Sequence, residues 1–487
     1  MNINRPDVFI IVTDSARAFF SNSEDDREKP EFYSSLKDFN YCPNAYCSAP
    51  SSVMSGATIL SAVDSYLISR NYDDFRFNNN LNINCVEYLS NLGYKTNGFY
   101  VARELREKLG KLTSMDLKLK PEGRKFSERM WTNPDLNKIV DRYLKEQDPE
   151  TPLFNLIWNN IRHDYSISDN LSDLVQVIKN NNRWDNSIIF FLSDHGYPTK
   201  DKGITPEGLK RDNKTHDLWL TEDNIRIPFY FKVPGENSTV IDGNVCTTDI
   251  FPTIFDELNI SISNKYSTGV SLSNKNKERK KELRKRFIRV DSRFIGQPQR
   301  KTGIIKNNLK LVYDHDRDVL EYFKIYPDFT EYECTEIDDQ NKSELLGIYN
   351  DREKLALNFQ YEIQLKNSIY NYSSYPLLCI DHDPHLIEYI NALKSNSIII
   401  KEAGKGLSLA ESLSIEKHLI IHNGLSWLKR LILCLRGNRL LKIQLINEHK
   451  VLNWNFQRYL RAFKASIPFI SVEPSYLFVR IRELLKL

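Results

Sequence analysis

Two apolar runs of this 487-residue chain each end in an acid. Residues 7–13 read DVFIIVT and deliver Asp14; residues 186–193 read NSIIFFLS and deliver Asp194-His195-Gly196. Carboxylates and an imidazole at neighbouring strand ends suit a divalent cation, which gathers an anionic substrate and lowers the pKa of a nucleophile. Taken alone, Asp-His-Gly fits a turn with a helix-capping Asp equally well. A second cluster, YCSAPSSVMSGAT at 46–58, crowds small hydroxyl residues around Pro50. A proline in the first turn sets Ser48 just before a helix start and Ser51 or Ser52 within it. Backbone N–H groups and the helix dipole there favour an anion or an alkoxide. The plain alternative is an ordinary serine N-cap.

These groups need a scaffold that brings distant strand ends together. A nearly unbroken β-branched and aromatic run predicts a buried central strand, and open α/β sheets build sites at carboxyl strand ends. NCVEYLSNLGYKTNGFYV (84–101) predicts a helix ended by Gly93 and then a strand, and PLFNLIWNNIRHDY (152–165) a strand entering a polar loop. A helix at Leu171–Asn180, a strand within 225–235 and a helix within 247–260 with Pro252 in its first turn continue the alternation. Strand and helix in alternation predict a mostly parallel sheet. Short strands separated by turn residues over 287–335 predict a small antiparallel sheet, and 275–286 reads as a solvated charged segment. Beyond 350, LLCID (377–381), SIIIKEAG (397–404) and HLIIHNG (418–424) predict a second, smaller α/β unit.

Composition narrows the function classes. Lys+Arg 67 against Asp+Glu 64 gives +3, so no whole-chain basic field points to nucleic acid. Residues 1–350 carry 48 Lys/Arg and 52 Asp/Glu, a net −4, whereas 351–487 carry 19 and 12, a net +7. Seven widely spaced cysteines without a C-x-x-C pair, in a chain opening MNINRPDVFIIV, predict reduced thiols and a cytoplasmic location. With no run of 18 apolar residues, no spanning helix is expected.

In order, the segments resemble the alkaline phosphatase and sulfatase superfamily over roughly residues 5–340. The resemblance rests on DVFIIVTDSAR, the P-S-rich helix start, EYLSNLGYKT, LIWNNIRHDY, FFLSDHG, TEDNIRIPFYFKVPG, and TTDIFPTIFDELNI followed by TGVSL. LKLVYD and VLEYF stand where that family has its C-terminal small sheet. It implies an α/β fold: an alkaline-phosphatase-like, mostly parallel sheet sandwiched by helices, with a small antiparallel subdomain. The implied division is a catalytic core at 1–285, the antiparallel sheet at 286–350 and an unrecognised α/β or helical domain at 351–487. It further implies metal ligation by Asp14, Asp194 and His195 beside a hydroxyl nucleophile. Ser48 best matches the nucleophile-x-Pro frame through Ser48-Ala49-Pro50, while Ser51 and Ser52 stay open. A second frame sets Ala49 at the reactive position and leaves no nucleophile. His163 and His216 are the candidates for binding ester oxygens or protonating a leaving group. Arg17 is expected to stabilise the loop after the first strand.

Departures from the family pattern bear on the reaction. Formylglycine formation needs C-x-P-x-R or S-x-P-x-R, but Cys47 is out of frame with Pro50 and the arginine position counted from Ser48 holds Ser52. GYKTNGFYVAR lacks the sulfate-gripping lysine of sulfatases. Two-zinc members need Asp four residues before His, and here Asn159 precedes His163. One divalent cation, Mg, Mn or Ca with zinc disfavoured, is therefore expected. The resulting expectation is a metal-dependent hydrolase or group transferase acting through a serine on phosphate esters, with sulfate second, on a small-molecule or glycan- or lipid-linked substrate. The alternatives are a sulfuric ester hydrolase with an atypical site and a catalytically silent binding protein. In the C-terminal region, LSWLKRLILCLRGNRLLKI (425–443) reads as an amphipathic helix covering the second unit's sheet; the alternative is peripheral contact with an anionic membrane. A domain binding a glycan, a nucleotide-linked donor or a partner enzyme also fits its basic excess. His382, His385, His418 and His422 sit in separate segments, so no shared metal site is expected.

Overall fold

In β1 (Asp7–Asp14) the side chains of Val8, Phe9, Ile10 and Val12 are wholly buried, as a strand covered on both faces requires. The main sheet joins it to β2 (Asn40–Tyr41), β4 (Lys95–Tyr100), β5 (Leu153–Asn160), β6 (Ser187–Ser193) and β7 (Phe229–Lys232), in spatial order β2-β7-β6-β1-β5-β4. The four strands β6, β1, β5 and β4 run parallel, and β7 and β2 add antiparallel pairings at one side, while β3 (Ala45–Tyr46) and β8 (Val245–Cys246) form a separate parallel pair. The register pairs Thr13 with Ser193 and Asp14 with Asn160, so the ends of β1, β5 and β6 lie level at one edge. At the opposite end, Asp7 accepts the Leu153 N–H at 2.7 Å and pairs with Arg183 at 3.2 Å, which fixes the sheet's amino edge.

This computed structural model describes residues 5–18, 36–68, 85–100, 109, 133–160, 169–198, 216–261, 267–292, 300–326, 331–333, 337–371, 377–381, 398–402, 419–422 and 439–442. The chain divides into two compact units, Met1–Ile348 and Tyr349–Leu487. No helix among the described residues is long and apolar enough to cross a membrane. Cys42, Cys47, Cys85 and Cys246 are buried free thiols.

Helices cover the main sheet on both sides. Leu136, Val140 and Leu144 of the helix Asn133–Lys145 and Leu174 and Ile178 of Asp169–Asn180 pack with Phe9, Ile11, Ile157, Ile189 and Phe191. On the other side, Phe251 of the helix Ile250–Glu257 lies 5.9 Å from Phe154, ring centre to ring centre. The helix Ser52–Ser61 buries every residue from Val53 to Ser61 and ends in Ala62 at φ 56°. A wholly buried helix needs its polar side chains paired. The small hydroxyls achieve this locally: Thr58 donates to the Ser55 carbonyl at 2.7 Å and Ser61 to the Ala57 carbonyl at 2.8 Å. Pro50 lies ahead of the N-cap, Ser51, rather than in the first turn as expected from sequence.

Two buried charge clusters stabilise the smaller sheet. That sheet is an antiparallel meander of β9 (Phe287–Asp291), β10 (Lys301–Lys306), β11 (Leu309–Asp314), β12 (Val319–Ile325) and β13 (Glu331–Glu333). Lys310 pairs with Glu222 at 3.3 Å and with Glu331, while Arg226 holds the other side of Glu222 at 2.9 Å. The sheet is thereby linked to the segment that leads into β7. Asp291 takes Arg289 at 2.9 Å, Arg300 at 3.1 Å and the Thr302 hydroxyl at 2.7 Å, and its backbone N–H donates to the Ser48 carbonyl at 3.1 Å.

In the second unit, β14 (Leu377–Asp381), β15 (Ile398–Glu402) and β16 (Leu419–His422) form within the three predicted segments. A fourth strand, β17 (Arg439–Lys442), pairs in parallel with β16. It corrects the reading of 425–443 as one amphipathic segment. Residues 439–442 are strand, so neither a covering helix nor a membrane-lying helix extends over them. Residues 425–438 lie outside the described residues.

Burial alone pushes the Asp291 carboxyl up, but Arg289 and Arg300 outweigh it and hold it down at about 2. A lowered folded pKa contributes stability that is complete above the ordinary carboxylate value and is lost as pH falls from about 4 towards 2. Asp291→Asn is expected to cost about 3 to 5 kcal/mol in urea unfolding at neutral pH, because two buried guanidinium groups lose their counter-charge. Its stability should also vary less between pH 4 and 2 than that of the parent. Equal midpoints for the two proteins at neutral pH would contradict this role.

Candidate active site

At the carboxyl edge of the main sheet, three ligand atoms of Asp14, Asp194 and His195 lie within 4.8 Å of one another, a spread one cation can span. The backbone imposes this. Ser15 takes a left-handed φ of 62°, and its N–H donates to Asp194 Oδ1 at 2.9 Å while its hydroxyl donates to Asp14 Oδ1 at 2.7 Å. One residue therefore ties the end of β1 to the loop after β6. The Ser193 hydroxyl sits 2.6 Å from both the Thr13 and His195 carbonyls and accepts the Ala16 N–H at 2.9 Å, bracing the same two loops.

Asp194 and His195 are wholly buried. Asp194 Oδ1 accepts two backbone N–H groups, from Ser15 and His195, each at 2.9 Å, yet Oδ2 has no hydrogen-bond partner. A buried carboxylate oxygen without a partner is costly. His195 Nδ1 lies 2.7 Å from the Gly196 carbonyl, which can only accept, so Nδ1 carries a proton and Nε2 is the nitrogen left for the cluster. Nε2 and Asp194 Oδ2 face each other at 3.4 Å. A positive charge at this point, whether a cation or a proton, would satisfy the buried oxygen. Burial first, and then the negative charge of Asp194, push the Asp14 carboxyl up to about 6 against the opposing pull of His195 and the Ser15 hydroxyl. A cation at this point would favour the ionised form of both acids. The donor set therefore fits a divalent ion.

The three candidate serines occupy different places. Ser52, the first residue of its helix, sets its hydroxyl 3.2 Å from His195 Nε2, at the positive end of the helix dipole. Ser51 is the N-cap, makes no side-chain cap bond, and accepts the Ser55 N–H through its carbonyl at 2.8 Å. Ser48 is wholly buried; its hydroxyl accepts the Ser65 N–H at 3.1 Å, and its carbonyl accepts the Ser65 hydroxyl at 3.1 Å. Of the three, Ser52 is the serine with a bond to the acidic cluster. Ser55, one turn further on, donates to the Asp194 carbonyl at 2.7 Å and pins the helix to the loop.

His216 stacks on His195, with ring centres 4.5 Å apart and 18° between planes, and its carbonyl accepts the Asn224 amide at 2.7 Å. His163 lies outside the described residues. Asn159 is the register partner of Thr13 and is buried, with neither amide atom hydrogen-bonded. Arg17 is half-buried in the loop after β1.

Sequence reading gave Ser15, Ser193 and Ser55 no part in positioning the cluster. The signal for Ser15 and Ser193 is a small hydroxyl residue beside each acidic strand end, and for Ser55 its place one turn after Ser51 in the helix. Gly196 has a steric reason: a Cβ there would lie 2.2 Å from the Asp223 carbonyl oxygen, so only glycine admits the close chain approach behind His195. Asp194 caps no helix, since 194–198 are not helical.

Comparison with known proteins bears on the fold. Residues 119–260 match the family model described as Sulfatase. No curated protein matches the sequence. Among solved structures, BT4656 in complex with its substrate D-glucosamine-2-N,6-O-disulfate has a TM-score of 0.54 at 12% identity, covering 72% of this chain and 98% of its own. BT1596, a 2-O GAG sulfatase, has a TM-score of 0.52 at 14% identity, covering 75% and 92%. Ps i-CgsB in complex with k-i-k-neocarrahexaose has a TM-score of 0.51 at 17% identity, covering 72% and 93%. The chain thus shares the fold of these solved structures, and its residues 119–260 are similar to the Sulfatase family.

Proposed function

We propose that this protein is a metal-dependent phosphoester hydrolase or phosphoryl-group transferase in which Ser52 is the nucleophile. The observation carrying this reading is the 3.2 Å approach of the Ser52 hydroxyl to His195 Nε2, inside the Asp14, Asp194 and His195 cluster. Asp14, Asp194 and His195 would hold one divalent cation. Two carboxylates and one imidazole without a thiolate favour Mg, Mn or Ca over Zn. When bound, the ion supplies Lewis-acid neutralisation of the ester oxygens and a lowered pKa for the nucleophile.

The remaining steps belong to the chain's own groups. The Ser52 hydroxyl loses its proton to solvent, and its oxygen attacks phosphorus from the helix N-terminus, whose N–H groups and dipole stabilise the charge gathering on the phosphoryl oxygens. The bond from phosphorus to the leaving oxygen breaks, and that oxygen takes a proton from a general acid. His216, stacked against His195, and His163 are the candidates for this role. Water or an acceptor alcohol then attacks the phosphoserine, the bond from phosphorus to the Ser52 oxygen breaks, and the attacking group's proton passes to that oxygen.

Phosphate is favoured over sulfate by the residues that follow Ser52. Two and four residues on stand Met54 and Gly56, where the formylglycine frame has Pro and Arg, so the aldehyde route to sulfate release has no motif here. The sugar ligands of BT4656 and Ps i-CgsB support a saccharide as the ester's carrier. A lipid-linked ester is the second reading, from the superfamily resemblance alone.

With Mn²⁺ supplied, Ser52→Ala should lower turnover of an aryl phosphate by about 1,000-fold or more, as expected for loss of a nucleophile. Ser48→Ala should keep turnover within about tenfold and lose about 1 to 3 kcal/mol of stability, because the Ser65 N–H loses its acceptor. The reverse pattern would reassign the nucleophile. A cation present at about 100 times its dissociation constant stabilises the folded state by about 2.7 kcal/mol, so Mn²⁺ should raise the melting temperature. Asp194→Ala should abolish that rise; an undiminished rise would remove Asp194 from the metal site. If Mn²⁺ binds as described and no aryl phosphate, phosphodiester or sulfate is turned over, the fold serves binding alone.

A further inference from the structure

The tight turn between β10 and β11 ends the small sheet at the side away from the candidate active site. Lys306 pairs with Phe287 there, whereas Thr302 pairs with Asp291, whose N–H holds the Ser48 carbonyl. From Phe287 to Asp291 the strand rises about 13 Å, at roughly 3.3 Å per residue. Beside the turn lies a cavity of about 370 Å³, within the size range of small-molecule sites.

Its walls are fixed by backbone. Asn307 takes a left-handed φ of 55°, as a two-residue hairpin turn needs, and the Asn308 carbonyl accepts the Ile325 N–H at 2.8 Å. Another wall is set by Gly243, at φ 113°, which lies so close to Leu283 that a Cβ would meet the Leu283 Cβ at 2.7 Å. The next residue, Asn244, donates its N–H to the Leu283 carbonyl at 3.3 Å.

The lining chemistry selects a ligand class. The carboxamides of Asn44, Asn244, Asn307 and Asn308 line the cavity together with Tyr326, which is 40% exposed and has the Lys324 ammonium over its ring at 5.6 Å. The guanidinium groups there are already committed. Arg226, 3% exposed, donates to Glu222 at 2.9 Å, to Asn44 Oδ1 at 2.6 Å and to the Pro43 carbonyl at 3.3 Å. Arg284 makes two bonds to Asp242 Oδ2, at 3.1 and 2.8 Å. An anion would therefore find each guanidinium facing a carboxylate. A carboxamide offers donors and an acceptor side by side, as sugar hydroxyls do, and an aromatic face packs against the C–H face of a pyranose ring.

We propose that this cavity is a carbohydrate-binding site for a short neutral saccharide, separate from the Asp14, Asp194 and His195 cluster. It holds a glycan to the protein without entering the reaction proposed at Ser52, and it stands whether or not that reaction occurs.

The test is a saturation-transfer NMR titration of the full chain with maltose, cellobiose, lactose and N,N′-diacetylchitobiose. At least one of them should bind saturably. Tyr326→Ala should weaken that binding about tenfold or more and Asn308→Ala about threefold or more, both with an unchanged circular dichroism spectrum. Asp194→Ala should leave it intact. Failure of every disaccharide to bind, or parental affinity in both Tyr326→Ala and Asn308→Ala, would overturn the proposal. Loss of binding in Asp194→Ala would also overturn it, because the saccharide would then be a ligand of the acidic cluster. Displacement by inorganic phosphate in the Asp194→Ala protein would do the same, since the cavity would then be an anion site. The Ser52 assignment is untouched by any of these results.

Discussion

The Asp194 carboxylate is divided between two tasks, and the first unit is arranged around that division. One oxygen is fixed by the N–H groups of Ser15 and His195. The other is buried, makes no hydrogen bond, and faces His195 Nε2 at 3.4 Å. In a low-dielectric interior a carboxylate oxygen held this way is stabilised by a positive charge beside it. The fold holds the arrangement by bracing the loops on both sides with Ser15, Ser193 and Ser55. A cluster braced in this way would need little rearrangement to take up a cation.

The remaining structure supplies rigidity to that point. The parallel strands β1 and β6 set the acids side by side through their register, and the wholly buried helix Ser52–Ser61 presents its first residue to the same spot. The antiparallel sheet contributes from behind. The Asp291 N–H holds the Ser48 carbonyl, and Ser48 in turn holds Ser65, so the turn leading into the helix Ser52–Ser61 is tied to both. These buried polar links exchange some intrinsic stability for a single well-defined geometry at the helix start.

Much of this was legible in the sequence for a definite reason. An apolar run too long to be half-exposed, ending in an acid, already specifies a central strand and a polar group at its carboxyl end, and β1 and β6 obey that reading. The candidate serine was harder to single out. Spacing from Pro50 identifies a helix start only to within a few residues, and Ser48, Ser51 and Ser52 all lie in that window. What separates them is hydrogen bonding to Ser65, to Ser55 and to His195, long-range or backbone facts that spacing does not encode. The end of the 425–443 segment differs for the opposite reason: its leucine and arginine pattern suits a helix, but parallel pairing with β16 makes 439–442 a strand.

The account is tested most directly by anomalous diffraction from a crystal of the protein grown with saturating Mn²⁺. It predicts one manganese peak in the first unit, at about 2.0 to 2.6 Å from Asp194 Oδ2 and in contact with Asp14 and His195 Nε2, with the Ser52 hydroxyl turned towards it. A manganese peak elsewhere, or an ion-free site in which a proton bridges Asp194 Oδ2 and His195 Nε2, would contradict it.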